Sequence, residues 1–285
     1  MFYRGRSSVN LASFLLFGFC SISQFSCRTT KDSHLKISNG TEAQPSDEVA
    51  LSTVAVVFNE DWLKNRRTTC SGTLIDRRTV LTAAHCFDYG TDCRVLFGLK
   101  VDDASVQSIK CRYKRPEPWR KVAASGQIES EEDITLLYLE QDAPDPYQPV
   151  AILKKGDELK PQQELILAGY GVTGDSAAPG IGKTRGVLRF ARQTIDQLEA
   201  SKKRFRYSNF SDSAPPSPSG ICDGDSGGPA YVRNATGSLS LAGINISGDY
   251  KCSSYGIQTD VRYYTDWIAT ARIELAASQQ TTVSP

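Results

Sequence analysis

Residues Gly224-Asp225-Ser226-Gly227-Gly228-Pro229 set one serine among glycines, directly after an aspartate, with a proline closing the run. Glycines let the backbone turn tightly and present its N–H groups. A serine nucleophile needs this setting: a reachable hydroxyl, and amide donors aimed at the oxyanion its attack creates. A bare run of this kind also suits an ordinary Gly-rich turn, so its partners elsewhere in the chain decide the matter. A serine nucleophile needs a base, and the base needs an orienting carboxylate. The sequence holds only 2 histidines. His34 lies among polar residues near the N-terminus. His85 ends the apolar run Leu81-Thr82-Ala83-Ala84-His85-Cys86 and is the better base. Asp133 leads straight into Ile134-Thr135-Leu136-Leu137-Tyr138-Leu139, where a carboxylate at the mouth of a buried strand can be held dry against an imidazole. Asp88, Asp102, Asp103, Asp142 and Asp145 have loop-like surroundings, and Glu131 and Glu132 are expected to face solvent.

The chain has 285 residues, of which 40% are hydrophobic and 23% charged, enough apolar surface for a sizeable core. A formal net charge of +1 gives no bulk attraction to nucleic acid or an anionic membrane. The basic run Lys202, Lys203, Arg204, Arg206 reads as a solvated face or loop. Arg4 and Arg6, the apolar run Leu11 to Cys20, and the small and polar residues Ser21 to Ser26 together read as an export signal over residues 1–26. That run is too short to span a bilayer comfortably. Export makes disulfides permissible. Of 8 cysteines, Cys20 and Cys27 lie in or beside the signal. Cys70, Cys86, Cys93, Cys111, Cys222 and Cys252 remain, which suggests three disulfides whose pairing the count leaves open. Cys27 also suits the lipid-modified first residue of a bacterial lipoprotein, so a lipid anchor on a cell envelope is the alternative to a free secreted protein. No cysteine or histidine spacing suggests a metal site.

After residue 36 the chain breaks into short apolar segments punctuated by Pro and Gly. Val49 to Phe58, Thr73 to Ile75, Val80 to Ala83, Arg94 to Phe97, Ile134 to Leu139 and Glu164 to Ala168 form most of the series. Gly186 to Ala191, Leu239 to Ile246 and Gly256 to Val261 complete it. Short segments of this kind point to an all-β sandwich or barrel. Tyr264, Trp267, Ile268, Ala271 and Leu275 recur at helical spacing, which predicts one helix with a stripe packed on the second half of the body. Residues 277–285 lack such a stripe and read as a loose tail.

Ala83-Ala84-His85-Cys86, Asp133-Ile134-Thr135-Leu136-Leu137 and Gly224 to Pro229, in the order His, Asp, Ser, resemble the trypsin-like (chymotrypsin-fold) serine peptidases. Cys70-Ser71-Gly72-Thr73-Leu74-Ile75 and Gly169-Tyr170-Gly171 add to the match, which runs from about Ile37 to Leu275. The resemblance implies two six-stranded antiparallel β-barrels and a C-terminal α-helix, in a peptidase domain over residues 37–276. It implies a triad of His85, Asp133 and Ser226, with an oxyanion hole from the N–H groups of Gly224 and Ser226. It suggests the disulfides Cys70–Cys86 and Cys222–Cys252, leaving Cys93 and Cys111 to pair with each other. Lys36-Ile37-Ser38-Asn39-Gly40 resembles the family's activation site. Residues 27–36 would then be a propeptide, and the freed ammonium of Ile37 would pair with Asp225.

By the same resemblance Gly220, Ile221, Gly248 and Gly256 line the primary specificity pocket. Gly220 stands where an aspartate would select Arg or Lys, and Ile221 narrows the space, so the expected preference is for medium-sized apolar residues. Asp223 and Asp249 near the rim are the features that favour a basic residue instead. In register, Ile246 falls where the family has a serine supporting the catalytic aspartate, with Ser247 one position on. The expected function is a secreted endopeptidase, made as a zymogen, monomeric and without a cofactor. Its expected partners are a peptide or protein substrate and an activating protease. The alternative is a catalytically inactive homologue acting as a binding or regulatory module. An α/β-hydrolase conflicts with the order of the residues, because that fold places serine before histidine. Asn39, Asn209, Asn234 and Asn245 each begin a glycosylation sequon.

Overall fold

β-branched and aromatic residues recur between turn residues from Thr41 onward, and these stretches pair as strands because a half-buried pleated surface suits them. The computed structural model describes residues 37, 40–58, 69–126, 128–175, 177–209 and 219–280. The export signal over 1–26, Cys27, the propeptide over 27–36, His34, Lys36 and Asn39 lie outside the described residues. In chain order the strands are β1 (Thr41–Glu42), β2 (Thr53–Val57), β3 (Thr69–Asp76), β4 (Thr79–Thr82), β5 (Cys93–Phe97) and β6 (Gln107–Lys114). Next come β7 (Arg120–Val122), β8 (Ile128–Glu131), β9 (Thr135–Leu139), β10 (Ala151–Ile152), β11 (Glu164–Gly169) and β12 (Arg189–Thr194). β13 (Gln197–Glu199), β14 (Arg204–Ser208), β15 (Pro229–Arg233), β16 (Leu239–Gly248) and β17 (Tyr255–Asp260) precede α1 (Thr265–Gln280), the one α-helix among the described residues.

Strands β2-β3-β4-β9-β6-β5 close into an antiparallel barrel. Val54, Val56, Leu74, Leu81, Leu96, Leu136 and Leu137, drawn from both faces of its strands, are all fully buried. The second half is a 9-stranded sheet in the order β1-β12-β11-β15-β16-β17-β14-β13, with β10 on β16. The all-β architecture with one helix agrees with the sequence. Two closed barrels were the expectation, and only the first ladder closes. The outer strands β12 and β14 instead carry β1 and β13 on their free edges.

The helix corrects a second expectation. Its stripe packs on β6 and β9 of the first barrel rather than on the second half. Arg112 donates to Ser278 Oγ (2.8 Å) and to the Leu275 carbonyl (3.0 Å), and Lys114 pairs with Glu274. These anchors carry the helix through Gln280, past the position where a loose tail was expected to start. The basic run at 202–206 is a third correction. Arg204 and Arg206 stand on β14 and alternate with buried Phe205 and Tyr207. Glu131 and Glu132 do not face solvent freely. Glu131 bridges Arg120 (2.8 Å) and Arg204 (3.0 Å), and Glu132 pairs with Lys203 at 2.7 Å and accepts from the Tyr264 hydroxyl.

Among the described residues the disulfides are Cys70–Cys86, Cys93–Cys111 and Cys222–Cys252. Cys93 and Cys111 are direct partners in the β5–β6 register, which explains a pairing that only elimination had indicated. Among the described sequons, Asn209 and Asn245 are buried, while Asn234 sits in the exposed turn between β15 and β16.

Candidate active site

Strand pairing brings two distant segments together. Thr82 at the end of β4 pairs with Thr135 at the start of β9. His85 follows β4 on the turn Ala84–Tyr89, and Asp133 precedes β9, so the ladder places them side by side. The disulfide from Cys86 to Cys70 on β3 ties that turn to the barrel. Asp133 Oδ2 lies 2.8 Å from His85 Nδ1, and Oδ1 accepts from the His85 backbone N–H at 3.0 Å. Asp133 is 4% exposed, so the pair is dry on the carboxylate side.

Burial pushes the Asp133 carboxyl upward, but hydrogen bonds and charge from His85, with the backbone N–H groups of His85 and Ala84, outweigh it and hold the pKa below 3.8. Burial likewise pushes the His85 imidazole down, and the Asp133 hydrogen bond and charge outweigh it, raising the pKa above 6.5. Neither Ile246 nor Ser247 supplies a donor to Asp133. Thr259 on β17 instead donates to the Asp133 backbone carbonyl at 2.9 Å, linking the second sheet to this corner.

The Gly224–Pro229 run leads into β15 of the second sheet and is hydrogen-bonded to Ser71 on β3 of the first barrel. The Ser71 N–H donates to the Ser226 carbonyl (2.8 Å), and Ser71 Oγ donates to the Gly224 carbonyl (2.9 Å). Ser71 Oγ also accepts from the Tyr170 N–H at 2.9 Å, so one buried hydroxyl joins three segments. Sequence reasoning quoted Ser71 only as part of a strand. Its neighbour Cys70, bonded to the cysteine beside His85, was the available clue.

The Val172 N–H donates to the Asp223 carbonyl at 2.9 Å. In a trans peptide the carbonyl and the following N–H point in opposite directions. The Gly224 N–H is therefore turned away from Val172. Neither it nor the Ser226 N–H has an acceptor among the described residues. Ser226 Oγ makes no hydrogen bond there either, and apo catalytic contacts of this kind commonly tighten only around substrate.

Asp225 is fully buried and accepts from the Gly171 N–H (2.8 Å) and the Cys222 N–H (2.9 Å). Burial is the largest influence on its carboxyl and carries the pKa to about 6, against which those amides, Arg189 and Arg185 act only in part. Ile37 is 1% exposed, a few residues before the β1 strand that pairs with β12 at Phe190 and Arg189.

A cavity of about 710 Å³ opens beside the serine, with Ser226, Ile221, Asn245, Ser247 and Gly248 in its lining. Of the four expected pocket residues, Ile221 and Gly248 line it, and Gly220 and Gly256 do not. The two acids at the rim are already engaged. Asp223 is paired with buried Arg185. Asp249 accepts from the N–H groups of Lys251 (2.9 Å), Ser253 (3.1 Å), Ser254 (2.6 Å) and Tyr255 (3.3 Å). Desolvation, the largest single influence, pushes the Asp249 carboxyl up, and these bonds together outweigh it and hold its pKa below the ordinary 3.8.

A barrel joined to a second β-sheet, with a His–Asp pair at the joint and a glycine-framed serine whose carbonyl lies 3.9 Å from Cys86 Sγ, is the architecture of the trypsin-like serine peptidases of the chymotrypsin fold. The trypsin family model matches residues 37–268, and the chain belongs to that family. Granzyme F of Mus musculus is 27% identical over 244 residues, covering 82% of this chain and 90% of the relative. Chymotrypsin-like elastase family member 1 of Felis catus is 27% identical over 280 residues, covering 90% and 95%. Serine protease SP24D of Anopheles gambiae is 26% identical over 215 residues, covering 73% of each. Among the described residues no helix is long and apolar enough to cross a membrane.

Proposed function

We propose that the chain is a secreted serine endopeptidase that cleaves through an acyl-enzyme and is made as a zymogen. The observation that carries this reading is the Asp133–His85 pair at 2.8 Å, with its carboxylate buried, near a serine whose own N–H and that of Gly224 have no acceptor among the described residues. Ser226 Oγ would attack the scissile carbonyl while His85 Nε2 takes its proton. Asp133 would hold the tautomer with Nδ1–H and stabilise the imidazolium, and His85 would return the proton to the leaving amine. The Gly224 and Ser226 N–H groups would receive the oxyanion, a contribution of about 3–4 kcal/mol for each donor. Water then enters, and the same base activates it to release the acyl group. The test is covalent labelling of the chain cut at Lys36–Ile37 by a fluorophosphonate, with Ser226→Ala as control. Labelling confined to Ser226 is expected, and an unlabelled protein would favour the inactive binding module.

The pocket supports a preference away from Arg and Lys. Gly220 offers no carboxylate, and a buried cation without a partner is costly. Asp223 is balanced by Arg185, and Asp249 is committed to its own turn.

Latency follows from Asp225. Its folded-state pKa of about 6 lies above the ordinary 3.8, so the fold binds the proton more tightly than the unfolded chain does. The resulting cost begins as pH rises past 3.8 and is complete above about 6, where it amounts to about 3 kcal/mol. A new ammonium at Ile37, freed by cleavage after Lys36, would neutralise that carboxylate. The cut protein is therefore expected to melt higher than the uncut one at neutral pH, with the gap closing towards pH 4. Calorimetry on both forms measures this; a gap independent of pH would count against the pairing.

A further inference from the structure

Gly220 and Gly256 bear no side chains, and neither lines the cavity. The space that a Cβ on either would enter is occupied by Tyr207. On β14 it is the direct partner of Gly256 on β17, so its ring lies over the glycine on the same face of the sheet. A Cβ on Gly256 would lie 2.6 Å from Tyr207 Cζ and 2.7 Å from its Oη. A Cβ on Gly220 would lie 3.0 Å from the same Oη and 2.7 Å from the Cys252 carbonyl oxygen. The Tyr207 hydroxyl accepts from the Ile221 N–H at 2.8 Å, which locks the ring against the segment leading to Ser226. Tyr207 is fully buried. On the cavity side Ile221 narrows what is left: a Cβ on Gly248 would meet Ile221 Cγ1 at 3.2 Å.

We infer that Tyr207 is the floor of the primary specificity pocket and limits the residue before the scissile bond to a short side chain, Ala, Ser, Thr or Val. This rests on the endopeptidase reading and narrows it, replacing a medium-sized preference with a short one. The depth that two glycines would open is taken by an aromatic ring from the neighbouring strand. Ile221, Asn245 and Gly248 are among the residues that line the cavity. A flexible wall could yield to a longer side chain. This one cannot yield easily, because the ring is held by its hydroxyl bond and by the glycine backbone beneath it.

Peptide substrates differing only at that residue test the inference on the full chain cut at Lys36–Ile37. Ala, Ser, Thr or Val is expected to exceed Phe, Leu and Arg in kcat/KM, by about 10- to 200-fold for each methylene that does not fit. Tyr207→Ala should reverse the order in favour of Phe or Leu, while Tyr207→Phe keeps the ring and should keep the wild-type order. Indole supplies a readout independent of catalysis. NMR titration should show no indole in the wild-type pocket and binding in Tyr207→Ala. Best cleavage after Phe, Leu or Arg by the wild type overturns the inference, as does indole binding to the wild type. Absent fluorophosphonate labelling would sink the endopeptidase reading instead, and the indole titration would still decide the pocket floor.

Discussion

Replacing Asp133 with asparagine (Asp133→Asn) is expected to lower kcat by about four orders of magnitude while leaving the fold intact. The local hydrogen bonds dictate how the amide must sit. Asp133 Oδ1 accepts from the His85 backbone N–H, and Oδ2 lies on His85 Nδ1. The backbone donor claims the asparagine oxygen and turns its NH2 group towards His85 Nδ1. Nδ1 must then accept, so the ring proton moves to Nε2, which can no longer take the proton of Ser226. The pH profile carries the same signature. The base works only when neutral, so wild-type kcat/KM should fall as pH drops through a His85 pKa held above 6.5. In Asp133→Asn the raising influence of the carboxylate is gone and burial remains, so the midpoint should move down. Steady-state rates across the neutral range check both points, and an unchanged kcat or an unmoved midpoint would count against this role for Asp133.

The second large effect is expected at Gly227. Its φ of 81° lies in the left-handed region, where L side chains are strained. An added Cβ would also run into Thr82 Oγ1 and the Ser71 carbonyl oxygen and lie 2.9 Å from the Ala83 nitrogen. These atoms belong to the barrel strands that hold the His85 turn, and they cannot retreat without breaking ladder contacts. Backbone strain and overpacking each cost about 1–3 kcal/mol, so Gly227→Ala should lose about 4 kcal/mol. For a domain of this size that corresponds to a melting temperature lower by roughly 10 °C. Activity should fall with it, because the Gly227 N–H bonds the Asn245 carbonyl at 2.8 Å and thereby fixes the turn holding Ser226. Gly237 is the control. Its φ is 84°, but nothing lies within 4 Å of an added Cβ. Gly237→Ala should therefore cost only the backbone strain, about 1 kcal/mol. Equal losses from the two variants would show that the contact with the barrel is unimportant.

The candidate site was legible because its residues make local demands. A serine between glycines, a histidine ending an apolar strand beside a cysteine and an aspartate opening another strand each state their own backbone environment. Their order along the chain selected the family, and β4–β9 pairing accounts for the meeting of His85 with Asp133. Strands with long apolar runs, such as Ile134 to Leu139, were equally readable. β14 was not, because Arg204 and Arg206 dominate its composition and its apolar half is only Phe205 and Tyr207. Period-two alternation was the available signal, and it marks the strand that matters most for the pocket.

By itself the sequence determined the β class, the candidate nucleophile with its base and acid, and the absence of a carboxylate at Gly220. Tertiary structure alone decided the rest. It sent the helix back to β6 and β9, bound Asp223 to Arg185, fixed the Asp223–Gly224 peptide through Val172, and filled the pocket floor with Tyr207. The physical reason is one of range. A motif encodes what its own backbone and side chains require. A cavity is defined by whichever groups from distant strands come to rest in front of it, and two glycines can only permit a depth that a tyrosine on the next strand then removes.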